Sequence, residues 1–329
     1  MAPKCSYHQS SRGPGGAIGP NVRLGVGPER VAWDGYREVR TLARWDRLRS
    51  RGRVEDRRGM SGGAAIGGLG GIGLIIVLLM NLLGGGGGGL EDILNQLQPA
   101  QAPPQSGPQP DEFAGEDDYE VFVSTVLGST DDTWNAIFTA WGQQYVEPTL
   151  VLFRGTTQSA CGGASSAVGP HYCPPDETIY IDETFFDELV RRFGATGGDV
   201  AEAYVIAHEV GHHVQKRLGI MEEVQRAQQA AGSQAEANAL SVRLELQADC
   251  FAGVWANSIR DAGVFEAGEI REALDAAATV GDDRIQERVQ GQVSPETWTH
   301  GSSDQRVEWF TRGWEGGDPA RCNTFEDLG

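Results

Sequence analysis

The stretch AEAYVIAHEVGHHVQK, residues 201–216, decides how the rest of the chain is read. Its apolar residues, Tyr204, Val205 and Ile206 among them, and the absence of Pro predict a helix over residues 199–216. Positions i and i+4 of a helix lie one above the other, so His208 and His212 share a face. Two imidazoles at that spacing can hold one zinc ion. Glu209, between them, can reach a water at the metal, which makes it the candidate catalytic base. His213 is adjacent to His212 and points off that face, so it is read as a supporting or surface residue and not as a ligand.

Catalytic zinc takes three protein ligands and keeps one position open. The pattern H-E-x-x-H-x-x-G-x-x-H, with a third histidine as ligand, is absent, so a carboxylate is the better third donor. Glu245, in LELQADCFAG (244–253), is the candidate. It lies far enough downstream for the chain to turn and return as a second helix. Asp249 is four residues further on the same face and can accept the outer N–H of a ligating imidazole. Glu236 competes for the ligand role, but its i+4 neighbour is Leu240. Near the C-terminus, TWTHGSSDQRVEWF (297–310) contains His300 and Arg306. Either can stabilise negative charge that develops on a tetrahedral intermediate; capping or packing of the last helix is an equal reading. His300 is preferred, because it precedes the turn that opens that helix. TIYID (178–182) is placed along the cleft edge, where an extended peptide can pair with it.

The chain has 329 residues and a formal net charge of -19. That charge is unevenly spread: residues 1–60 hold 13 basic and 6 acidic side chains, so the remainder is strongly acidic. An acidic body excludes a binder of duplex DNA or RNA, which needs clustered cations. Residues 64–83, AAIGGLGGIGLIIVLLMNLL, carry no charge. Twenty residues at about 1.5 Å each just cross a hydrocarbon core of about 30 Å. Six arginines between 47 and 58 precede this stretch and Glu91 and Asp92 follow it. By the positive-inside rule the N-terminus is expected in the cytoplasm and the rest outside, in a single-pass protein of the inner or plasma membrane. Of five cysteines, Cys5 falls on the reducing side. Cys161, Cys173, Cys250 and Cys322 fall outside, an even number suited to two disulfides. Cys161–Cys173 with Cys250–Cys322 is the preferred of three pairings; four free thiols is the other reading.

The expected organisation is a disordered, basic segment over 1–63, a transmembrane helix over 64–83, a Gly/Pro/Gln-rich linker over 84–117, and one folded domain over 118–329. Within the domain, helices are expected at 119–127, 132–144, 183–193, 199–216, 235–258, 266–278, 282–289 and 303–312, with strands at 149–153 and 178–182. The fold class is therefore mainly α with a small β-sheet, an α+β domain.

The motifs also carry a resemblance. VEDRRG (54–59), the Gly-rich apolar segment, ACGGASSAVGPHYCPPDETIYID (160–182), AHEVGHHVQ (207–215), ELQADCFAG (245–253), GDDRIQ (281–286), THGSSDQRVEWF (299–310) and GDPARCNTF (317–325) together resemble the bacterial neutral zinc metallopeptidase family, the YpfJ-like membrane peptidases. The N-terminal lead-in to VEDRRG is longer here than in the family. The resemblance implies a zincin-like domain with His208 and His212 as zinc ligands, Glu209 as base, and Glu245 with Asp249 as the acidic pair. The expected function is a membrane-anchored, zinc-dependent endopeptidase with one zinc per chain, acting on a peptide or protein. Its partners are membrane lipid, through the single span, and no nucleic acid. Two alternatives stand beside it: an inactive membrane-anchored zinc scaffold or binding module, and a zinc amidase acting on cell-wall material.

Overall fold

The computed structural model describes residues 43–59, 117–165, 169–266 and 268–326. Two apolar runs make the centre of a four-stranded sheet. Strand β1 (Arg53–Asp56) pairs with β2 (Thr149–Phe153), β2 with β6 (Thr178–Asp182), and β6 with β5 (His171–Cys173). The first two pairings are parallel and the last is antiparallel. TLVLF and TIYID are near-continuous hydrophobic runs, as a sheet covered on both faces requires, and β6 is buried at every position. A separate pair, β3 (Thr156–Ser159) with β4 (Gly162–Ser165), lies beside it. The structure joins Cys161 to Cys173 and Cys250 to Cys322.

The helices are α1 (Asp118–Ala140), α2 (Thr184–Glu188), α3 (Asp199–Arg217), α4 (Ile220–Ala230), α5 (Gln234–Ser258), α6 (Ile270–Thr279), α7 (Asp282–Gln290) and α8 (Ser303–Gly316). Asp117 and Ser233 cap α1 and α5, and Ser302 with Gln305 makes a capping box on α8. Helix α1 runs unbroken where two helices are expected. The polar run GSTDD (128–132) reads as a break, but Ser129, Thr130 and Thr133 turn their hydroxyls onto the carbonyls of Val126, Leu127 and Ser129. The core gathers Trp134, Trp255, Tyr204, Phe138, Phe310 and the sheet residues Leu150, Leu152, Ile179 and Ile181.

The expected membrane topology is corrected. Among the described residues no helix is long and apolar enough to cross a membrane. The longest, α5, carries Glu236, Arg243, Glu245 and Asp249 along its length. The stretch 64–83 lies outside the described residues. The sheet adds an independent constraint. Residues 53–56 precede that stretch and residues 149–152 follow it, yet Val54 sits opposite Leu150 and Asp56 opposite Leu152. A single crossing between them would put two hydrogen-bonded strands on opposite sides of a bilayer. The transmembrane helix, the membrane anchor, the lipid partner and the single-pass location are therefore given up.

Residues 43–59 are instead built into the folded body. Gly52 donates its N–H to the Ser124 carbonyl, and the Ala43 N–H and Trp45 indole both donate to Asp199 at the start of α3. Arg58 forms ion pairs with Asp56, Asp117 and Glu183. The placement of TIYID at an edge is also corrected, since β6 lies between β2 and β5. A chain beginning at Asp117 should therefore melt roughly 10 °C or more below one that keeps residues 43–59, for a loss of about 4 kcal/mol in burial and ion pairing. Equal melting temperatures would show that β1 is dispensable.

Candidate metal centre

Helix α3 opens with Asp199 and Glu202 and closes with Lys216 and Arg217, charges that suit its dipole at both ends. Its buried face meets α5 at Gly211. A Cβ there would lie 2.9 Å from the Ala248 carbonyl oxygen, so glycine lets the two backbones touch. Glu245 lies one helical turn before Ala248 and Asp249 follows it directly, and the contact therefore sets both acids against the histidines. His208 Nε2 is 3.2 Å from Glu245 Oε2, and His212 Nε2 is 3.4 Å from Glu245 Oε1. All three residues are buried, with one donor atom from each within 4.8 Å of the others.

The outer nitrogen of each imidazole is occupied. His208 Nδ1 lies 2.8 Å from Asp249 Oδ1, and His212 Nδ1 lies 2.9 Å from Gln215 Oε1. Asp249 is fully buried and also accepts from the Tyr204 hydroxyl at 2.5 Å and from Arg306, through Nε at 2.8 Å and Nη2 at 2.9 Å. Burial opposes ionisation of Asp249, but Arg306 and His208 outweigh it and hold the carboxyl down at about 2. Burial likewise opposes charge on Glu245, yet His212 and His208 keep it well below the usual range. Burial disfavours the charged form of His208 as well, while Asp249 and Glu245 push it up to about 10. The pocket thus attracts positive charge strongly at the point where the three donors converge. Two imidazole nitrogens and a carboxylate, buried, with the outer nitrogens supported, fit a divalent zinc ion.

Glu209 lies between the two histidines and is mostly buried, and its carboxylate makes no hydrogen bond or ion pair among the described residues. His300 is held by Asp282. One oxygen of Asp282 accepts the N–H groups of Thr299, His300 and Gly301, and the other lies 3.2 Å from His300 Nδ1. Burial works against charge on His300, but Asp282 and the nearby Glu245 raise its pKa. Arg306 is committed to Asp249, to the Tyr204 hydroxyl and to the Val280 carbonyl. It is therefore a support for the acid behind His208 and not an open donor. His213 faces away from the centre: its Nε2 donates to the Val146 carbonyl, its Nδ1 accepts from Tyr172, and burial lowers it to about 4. Glu236 stands at the exposed start of α5, accepts from the Gly232 N–H, and is not part of the His208–His212–Glu245 cluster.

Reading the sequence missed Tyr204, Gln215 and Asp282. Tyr204 is four residues before His208 and Gln215 three after His212, so helical spacing carried a signal for both. Asp282 and the true role of Arg306 come from other helices, and no local pattern announces them.

Comparison with known proteins decides the family. The model of the family described as "Putative neutral zinc metallopeptidase" matches residues 43–325. The chain belongs to this family. It is 48% identical over 288 residues to the uncharacterized protein YpfJ of Escherichia coli (strain K12), covering 86% of this chain and 98% of that one. It is 47% identical over 225 residues to the uncharacterized protein Rv2575 of Mycobacterium tuberculosis, covering 64% of this chain and 74% of that one. No solved structure matches. The family match begins at residue 43 and so takes in β1, which agrees with that strand being part of the neutral zinc metallopeptidase domain. A His/His/Glu cluster able to hold a metal ion, in a chain of this family, supports a zinc-binding enzyme.

Glu245→Ala should weaken zinc binding by about two orders of magnitude or more, because it removes the only anionic donor of the cluster, while Glu236→Ala should leave it unchanged. Competition with a chelator of known affinity measures both. Equal loss in the two variants would remove Glu245 from the site.

Proposed function

We propose that this chain is a zinc-dependent endopeptidase that hydrolyses peptide bonds in a peptide or protein substrate, with one zinc ion per chain held by His208, His212 and Glu245. The observation that supports hydrolysis over mere metal storage is Glu209. A closed structural site needs ligands alone. Here a carboxylate is kept between two ligands, mostly buried and without a partner among the described residues. Its oxygens are not among the fully buried polar atoms left without a partner, so they remain accessible to a water molecule beside the ligands. The same observation weighs against a scaffold or binding module.

Zinc, when bound, supplies Lewis acidity that polarises the scissile carbonyl and makes water easier to deprotonate. The protein's residues do the rest. Glu209 takes a proton from the attacking water and passes it to the leaving amine, so the carboxylate is regenerated each cycle. Asp249 holds His208 and Gln215 holds His212, each through Nδ1, so that both Nε2 atoms stay turned to the metal position. His300, with Nδ1 against Asp282, keeps Nε2 for the substrate oxygen, where an N–H stabilises negative charge as it develops. Arg306 neutralises Asp249 and lies one layer further out.

Glu209→Gln should retain zinc and fold but lose about 10²- to 10⁴-fold in kcat, because an amide cannot accept the proton. Near-normal turnover on a validated peptide would refute the assignment of the base. His300→Ala should lower kcat by roughly 100-fold, about 3 kcal/mol, with KM and zinc content little changed. Loss of zinc in that variant would make His300 a ligand, and full kcat would make it part of the scaffold alone.

A further inference from the structure

Behind His212 stands a second layer that differs in kind from the one behind His208. His208 is backed by a carboxylate, and His212 by an uncharged amide that is itself backed by another. Gln215 Nε2 donates to the Leu244 carbonyl at 2.6 Å and to Gln247 Oε1 at 3.2 Å. Gln247 Nε2 donates to the Cys322 carbonyl at 3.0 Å. Gln215, Gln247 and Cys322 are all buried. We propose that Gln247 and Gln215 form a polarised relay that fixes His212 as the Nδ1–H tautomer and so presents its Nε2 lone pair to the metal. The inference rests on the zinc site read above.

The polarity follows from elementary chemistry. A side-chain amide can be turned end for end, and its two ends are told apart only by their partners. Here two backbone carbonyls, of Cys322 and Leu244, settle both amides, because a carbonyl only accepts. Gln247 must point its NH₂ at Cys322, which leaves its oxygen toward Gln215. Gln215 must point its NH₂ at Leu244 and at that oxygen, which leaves its own oxygen for His212. An amide oxygen accepts and cannot donate, so His212 Nδ1 must carry the hydrogen. Reversing either amide would set oxygen against oxygen in a buried place, with a hydrogen bond unmade. The far end is anchored as well, since Cys322 is tied by its disulfide to Cys250, the neighbour of Asp249. Residues distant in sequence from His212 thereby govern which of its nitrogens can bind a cation.

The choice of amides over a second carboxylate has an electrostatic consequence. Asp249 brings a negative charge behind His208, and Arg306 balances it. Behind His212 no arginine or lysine is hydrogen-bonded to the relay among the described residues, and a carboxylate there would be a buried charge without a counterion. The amide pair provides the direction of the hydrogen bond without the charge.

The test uses the full chain, loaded with zinc. In ¹⁵N-resolved spectra of the histidine rings, His212 should show zinc at Nε2 and a slowly exchanging, hydrogen-bonded proton at Nδ1. In Gln247→Met, which keeps side-chain length but removes donor and acceptor, that proton should exchange faster. Zinc affinity, measured by chelator competition, should fall about 10- to 100-fold. Gln215→Met should have at least the same effect, and the melting temperature of each zinc-free variant separates loss of fold from loss of affinity. A wild-type His212 without a proton at Nδ1 overturns the relay even where a variant does not fold. So does a folded Gln247→Met that matches the wild type in proton exchange and zinc affinity. A wild type that binds no zinc overturns the metal centre itself, and is thereby distinguished from a zinc-binding wild type with an indifferent Gln247.

Discussion

The carboxylate of Asp249 is the point on which the arrangement depends. It is shut off from solvent and, from its place on α5, receives hydrogen bonds from two other helices: from Tyr204 and His208 on α3 and from Arg306 on α8. A buried carboxylate is tolerated only when its charge is matched and its lone pairs are used. Both conditions hold only if the three helices are docked in this one way. The order of the metal centre and the order of the helical core are therefore the same requirement, and removal of Arg306 leaves an uncompensated buried charge.

Two close backbone approaches make that docking possible. Gly211 lets α3 touch α5 at Ala248, and a Cβ on Gly313 of α8 would lie 2.0 Å from the Cys250 carbonyl of α5. With a side chain at either place the helices would stand apart, and Arg306 or Glu245 would fall short of its partner. The Cys250–Cys322 disulfide adds a covalent tie between α5 and the segment after α8. On the far side, the sheet and residues 43–59 complete the support: Asp199, at the start of α3, accepts from both Ala43 and Trp45. The helix that carries the two histidines is thus held at its first turn by one part of the chain and at its centre by another.

What could be read from the sequence was whatever local spacing encodes. His208, Glu209 and His212 sit on one helix, and Glu245 with Asp249 on another, so periodicity alone gave each pair its face. It also marked TLVLF and TIYID as strands, because both are apolar runs. The failures share one cause. RVED shows a single apolar residue, and its place in the sheet comes from the neighbouring strand, which only tertiary structure supplies. Reading those same residues as one side of a membrane crossing followed from charge asymmetry, a rule that says nothing of strand pairing. The choice between oxyanion donor and packing residue stays open for Arg306 in the sequence because the acid it serves lies on a different helix, and the expected break in α1 is closed by hydroxyls that bond backward to the helix itself.

The central claim is that His208, His212 and Glu245 together form a zinc site with room for one more ligand. Zinc-edge X-ray absorption on the metal-loaded full chain tests it most directly. The account predicts a first shell of nitrogen and oxygen only, at about 2.0–2.2 Å. It also predicts the outer-shell scattering of two imidazole rings and a fourth, exchangeable light ligand. A sulfur shell at about 2.3 Å, or a spectrum with fewer or more than two imidazoles, would contradict it.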